Sequence, residues 1–218
     1  MRISHKHRFI FLAIPRTGST TMRKILDDYS DIKSIHKSEI TDKFPFYNHI
    51  SALELKNIFE KRCWEWSNYK KFCVIRNPYD RVVSLYHHHL QMKAKRFKKT
   101  EVIGNLVGQV KNIVRPVVTF RDYVMGINPE KRLPTSLKSF IADESGNFLV
   151  EDILMFEKLS KDLPSYLDNL GINITAEDIP HLNASRKRGE YRDCYDEDTK
   201  QRVSALYAYE ISRFGYRF

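Results

Sequence analysis

The chain has 218 residues, 42% hydrophobic and 12% aromatic, and 37 Lys and Arg against 27 Asp and Glu give it a net charge of +10. That size and apolar content suit one globular domain over residues 1–218 with a substantial core, and no run nears the roughly 18 apolar residues of a membrane span. Cys63, Cys73 and Cys194 are too few for a disulfide framework and odd in number, which points to reduced thiols and a cytoplasmic setting.

The opening MRISHKHRF is basic, but the apolar run after it is short and lacks a small-residue cleavage site, so it does not read as a signal peptide. Phe9 to Ile14 is long enough for one buried strand, and Pro15 ends it by removing a ladder donor. Arg16, Thr17, Gly18, Ser19, Thr20 and Thr21 follow, then the helix-like MRKILDDY. A strand, a tight hydroxyl-rich turn and a helix start make an anion site: the first N–H groups of the helix are unpaired and its dipole is positive there. Gly18 allows close backbone approach to a phosphate, and Arg16 supplies a fixed cation. The plainer alternative is an ordinary strand–loop–helix corner with a Ser or Thr cap. The loop departs from GxxxxGK[ST]: no Lys precedes its hydroxyl pair, and no second strand ends in an Asp that would hold magnesium.

The segment SIHKSEITDKFPFYNHI reads as loop with at most one short strand, and SALELKNIFEKR as an amphipathic helix capped by Ser51. KFCVIR, 71–76, is a second buried strand ending on Arg76. Asn77 and Pro78 then serve as cap and first residue of a helix that places Ser84 two turns in. His87, His88 and His89 project about 100° apart on that helix and cannot converge on one metal ion. Between 100 and 140 the pattern is weak, with helical stretches around TEVIGNLVGQVKNIV and VVTFRDYVMGI. DILMFE is a third strand candidate, KLSKDLPSYLDNLGI a helix closed by Gly171, HLNASRKRGEYRD a loop, and 196–214 a last helix. Strands alternating with helices imply an α/β domain with a mostly parallel sheet, whose ligands lie beyond the strands' C-terminal ends, where Pro15–Thr21 and Arg76 fall. Basic clusters at 93–99, 130–132 and 185–192 suit a polyanion or simply a solvated face.

Two anion-suited strand ends about sixty residues apart say more than either alone. With IPRTGSTTM and RNPYDRVVS, the chain resembles the sulfotransferases that use 3′-phosphoadenosine 5′-phosphosulfate (PAPS), in particular the family-2 and uronyl/heparan 2-O-type carbohydrate enzymes. NHISALEL, FEKLSKDL, PHLNAS and YDEDTKQRVSALYAYEISRFGY extend the similarity over most of the chain. The resemblance implies a P-loop-like, three-layer α/β fold with a central, mostly parallel sheet flanked by helices. It implies PAPS as donor, with the bisphosphate PAP as product, no metal, and a hydroxyl acceptor on a glycan, anionic or neutral; the basic patches favour an anionic one, with a small alcohol or phenol as the alternative.

Carried over by residue, Thr17 to Thr21 would hold the 5′-phosphate and sulfonate, and Arg76 with Ser84 the 3′-phosphate. Ser185 and Arg186 would close over the 3′-phosphate or adenine. Arg16 stands where the family usually has a Lys, and it would stabilise charge on the leaving oxygen without donating a proton. His49, in YNHIS, matches the family's His and would be the general base, with an ordinary pKa of about 6.5. Glu157 is a second candidate for that role, its plainer function being to pair with a cation. Relatives that sit in the Golgi carry an N-terminal anchor, so a lumenal domain without that anchor is the alternative to a cytoplasmic protein. Two other readings compete: a P-loop-type nucleotide kinase, which would need the Lys and Asp not found here, and a basic nucleic-acid-binding protein, for which no recognition motif is present.

Overall fold

The computed structural model describes residues 1–107, 118–128, 136–179 and 190–218, with side chains described outside 95–107 and 190. Contacts divide the chain into two compact units, Met1–Asn77 with Glu130–Arg186, and Pro78–Pro129 with Lys187–Phe218.

The first unit holds five strands, β1 (Arg2–Ser4), β2 (Phe9–Leu12), β3 (Ile32–Lys33), β4 (Lys70–Ile75) and β5 (Asp152–Met155), in the order β3-β1-β2-β4-β5. Strands β2, β4 and β5 run parallel, with Phe11 beside Phe72 and Val74 beside Leu154. Strands β1 and β3 extend the sheet antiparallel at the β2 edge. The parallel part is the sheet expected from the apolar runs, whereas β1 and β3 are additions. The buried Arg2 side chain is paired: its Nε donates to Asp27 Oδ1 at 2.5 Å and its Nη1 to the Met1 carbonyl at 2.8 Å.

Alternation along the strands sends Phe9, Phe11, Phe72 and Val74 to one face. Helices α1 (Ser19–Leu26) and, downstream, the helix over Leu159–Asp168 cover that face through Met22, Leu26, Leu159, Leu163 and Leu167. Apolar residues recurring every three or four positions give each helix the stripe that this burial requires. Helix α2 (Ala52–Lys61) starts as expected at Ser51, whose hydroxyl accepts the Glu54 N–H in a reciprocal capping box.

The second unit begins with helix α3 (Pro78–Val107), which carries Ser84, followed by α4 (Phe120–Met125). In the first unit again, α5 (Leu137–Ile141) packs against α2, and the helix at Leu159–Asp168 is α6, closed by the left-handed Gly171. The expected final helix is two, α7 (Glu197–Leu206) and α8 (Ala208–Phe214), because Tyr207, at φ −117° and ψ 25°, leaves helical geometry between them. Tyr79, Val82, Val83, Val124, Val203 and Tyr207 form the buried centre of this unit. Arg121 braces it by bonding both Asp196 and Asp198. Among the described residues, no helix is long and apolar enough to cross a membrane.

Candidate active site

All three parallel strands deliver polar or charged groups at their C-terminal ends, and each of these ends lies in the first unit. From β2 the chain runs through Pro15 and Arg16 into Gly18, the N-cap of α1. Gly18 has φ +82°, a left-handed conformation, and a Cβ there would stand 2.8 Å from two ring carbons of Phe156. Only glycine fits this corner without displacing a neighbour. The Thr17 side chain is fully buried and its hydroxyl donates to the Ile14 carbonyl at 3.0 Å, so it braces the turn from inside. Ser19 and Thr21 are buried as well, whereas Thr20 is exposed.

Arg76 leaves the end of β4 and its Nη1 donates to the Arg16 carbonyl at 3.4 Å, which joins the two motifs in space. Its guanidinium lies 4.7 Å from the ring centre of Phe156, the first residue after β5. Burial, and after it the positive charge of Arg76, lowers the Arg16 pKa below the ordinary arginine value. Two guanidinium groups that act on one another beside a helix N-terminus create a local positive field, and an anion bound there would be favoured. The next strand end adds Glu157, whose Oε1 accepts the Asn77 backbone N–H at 2.6 Å.

His49 comes to the same end of the sheet by a different route. Its Nδ1 donates to the carbonyl of Ala13, just past β2, at 2.6 Å. A carbonyl can only accept, so this bond places a proton on Nδ1 and makes Nε2 of the neutral ring an acceptor. The preceding Asn48 is held to α1 by Arg23, whose Nη1 donates to Asn48 Oδ1 at 2.7 Å while its Nε donates to the Ser19 carbonyl at 3.2 Å. Arg16 and His49 both have left-handed backbones, at φ 64° each, a conformation uncommon outside glycine and often found at functional sites.

The expected residues Arg16, Thr17, Gly18, Ser19, Thr20, Thr21, His49 and Arg76 thus belong to one unit, with Arg16 and Arg76 in contact. Ser84 lies on α3 of the second unit and is half-buried. Ser185 and Arg186, like the basic runs at 130–132 and 185–189, fall outside the described residues. Phe156, Asn48 and Arg23 were not singled out from the sequence. An aromatic residue directly after a strand was a usable sign for Phe156, but nothing local marked Arg23 or Asn48. Among the described residues, no group of three or more His, Cys, Asp or Glu could hold a metal ion. His87 and His89 instead make ring contacts with Tyr86 and Tyr123.

No curated protein matches the chain. Among solved structures, mouse sulfotransferase SULT7A1, complexed with PAP, matches with a TM-score of 0.56 at 12% identity, covering 95% of this chain and 86% of the mouse chain. The likeness is one of fold. The model of the sulfotransferase family matches residues 1–217, across both units, and the chain belongs to that family.

Proposed function

We propose that the chain transfers the sulfonate group of PAPS to a hydroxyl of a carbohydrate acceptor by in-line displacement. The observation that carries this reading is the contact between Arg16 and Arg76, delivered by adjacent parallel strands beside the N-terminus of α1. An adenosine that bears phosphates at both ends matches two cationic strand tips better than a mononucleotide does. PAP, the nucleotide complexed by the mouse enzyme, is the product expected from this donor.

In this scheme the backbone N–H groups from Thr17 to Thr21 bind the 5′-phosphate and sulfonate, with Gly18 keeping the corner open. Arg76 binds the 3′-phosphate. The motif adds Ser84 to that role, and the resemblance adds Ser185 and Arg186. His49 Nε2 takes the proton of the acceptor hydroxyl as its oxygen bonds to sulfur. The bond between sulfur and the 5′-phosphate oxygen breaks with its electron pair going to that oxygen, where Arg16 stabilises the new charge. A sulfonate carries less negative charge than a terminal phosphate, so cationic side chains and a helix N-terminus suffice without magnesium. The net charge of +10 favours an anionic glycan over a neutral one as acceptor. The family match across both units supports one functional domain over 1–218.

Thermal unfolding with added nucleotide tests the donor. At a hundredfold excess over its dissociation constant, PAP without magnesium should stabilise the protein by about 2.7 kcal/mol, well beyond AMP. Stabilisation by ATP only with magnesium, and none by PAP, would favour a kinase instead. A screen of glycans with labelled PAPS tests the acceptor class.

A further inference from the structure

We infer that Glu157 is a positioning residue for Arg76, an inference that rests on the donor-binding reading above. Glu157 Oε1 accepts the Asn77 N–H at 2.6 Å, although the two residues are 80 positions apart in sequence. Asn77 is followed by Pro78, which confines its backbone to extended conformations. The N–H that Glu157 holds belongs to the peptide plane joining Arg76 to Asn77. Fixing that plane restricts ψ of Arg76, and with it the direction in which the Arg76 side chain leaves β4. Phe156, the residue before Glu157, meets the other end of the same side chain, its ring 4.7 Å from the guanidinium carbon. Two successive residues after β5 therefore hold Arg76 at its backbone and at its tip. This gives Glu157 a task distinct from proton transfer, since a backbone N–H needs an acceptor atom rather than a base.

The distinction makes the inference testable, because glutamine keeps an acceptor oxygen at the same reach and alanine does not. Calorimetric titration with PAP and AMP, together with turnover on PAPS, would be compared for wild type, E157A, E157Q and E157D. The expected result is a roughly tenfold weaker PAP affinity in E157A, with kcat changed less than KM for PAPS. E157Q should bind within about threefold of wild type and E157D should fall between, so the E157D and E157Q pair decides the matter if E157A does not fold. AMP, which lacks the 3′-phosphate, should bind all variants alike, and in an R76A background E157A should add no further loss. Equal losses for PAP and AMP, an E157Q as impaired as E157A, or an unchanged E157A would overturn the inference. Failure of the wild type to bind PAP would instead remove the donor reading, so the two failures are distinguishable.

Discussion

Gly18→Ala perturbs the tightest point of the phosphate-side corner, and its cost has two separable parts. An L-residue at φ +82° pays for left-handed backbone, about 1–2 kcal/mol. The new Cβ would also stand 2.8 Å from Phe156 Cδ2 and Cε2, closer than real Cβ contacts allow, so the ring must move. The Arg76 guanidinium lies 4.7 Å from the centre of that ring and restricts where it can move. Overpacking of this kind costs about 1–3 kcal/mol. Together they predict a loss of about 2–5 kcal/mol in urea unfolding at unchanged slope, together with weaker PAP binding as the N–H groups of α1 shift. Repeating the substitution in an F156A background removes the clash and should leave only the backbone part, about 1–2 kcal/mol. A G18A protein within about 0.5 kcal/mol of wild type, or an equal cost in both backgrounds, would refute this account of the corner.

The remaining predictions concern charge, proton transfer and pH. Arg76→Ala should weaken PAP binding by about 2–5 kcal/mol, since it leaves a phosphate unpaired in a half-buried site; an unchanged dissociation constant would detach the second motif from the donor. His49→Ala should lower kcat while leaving PAP affinity near wild type, as expected for a residue that acts on the acceptor, and normal turnover would place the base elsewhere. Asp196 accepts the Thr199 N–H at 2.8 Å, the Thr199 hydroxyl at 2.7 Å and Arg121 Nη1 at 2.7 Å, which hold its carboxyl down at about 2 against an ordinary 3.8. A depressed carboxyl stabilises the fold above its unfolded value and loses that contribution as pH falls through the folded one. D196A should therefore lower the melting temperature at neutral pH, and the gap to wild type should narrow as pH falls from about 3.8 through about 2. A gap as wide at pH 2 as at neutral pH would contradict the assignment.

Legibility in the sequence varied with how much of each feature is local. Phe9–Leu12 and residues 72–75 of β4 are buried on both faces and apolar throughout, which made both strands readable. Ser51 marked the start of α2 as a cap, and the structure adds its reciprocal pairing with Glu54 three residues on. By contrast, β1 and β3 have three and two residues, too few to show a period, and β1 contains a buried arginine whose partners, among them Asp27 and Ser34, lie far along the chain. The break at Tyr207 was equally hidden, since the apolar spacing runs on through both helices.

What the sequence by itself determined is which residue types are at hand: two strand-end motifs, their cations, a glycine at the helix start and a histidine in the YNHIS turn. Those follow from residue type and short spacing, which are properties of the chain before it folds. Tertiary structure alone decided that Arg76 reaches the Arg16 carbonyl, that Phe156 fills the space a Gly18 side chain would need, and that Ala13 sets the tautomer of His49. Each of these depends on parallel pairing of β2, β4 and β5 or on the return of a distant loop. Contacts across 36, 60 or 80 positions are set by how strands register in the sheet, and no local pattern encodes that.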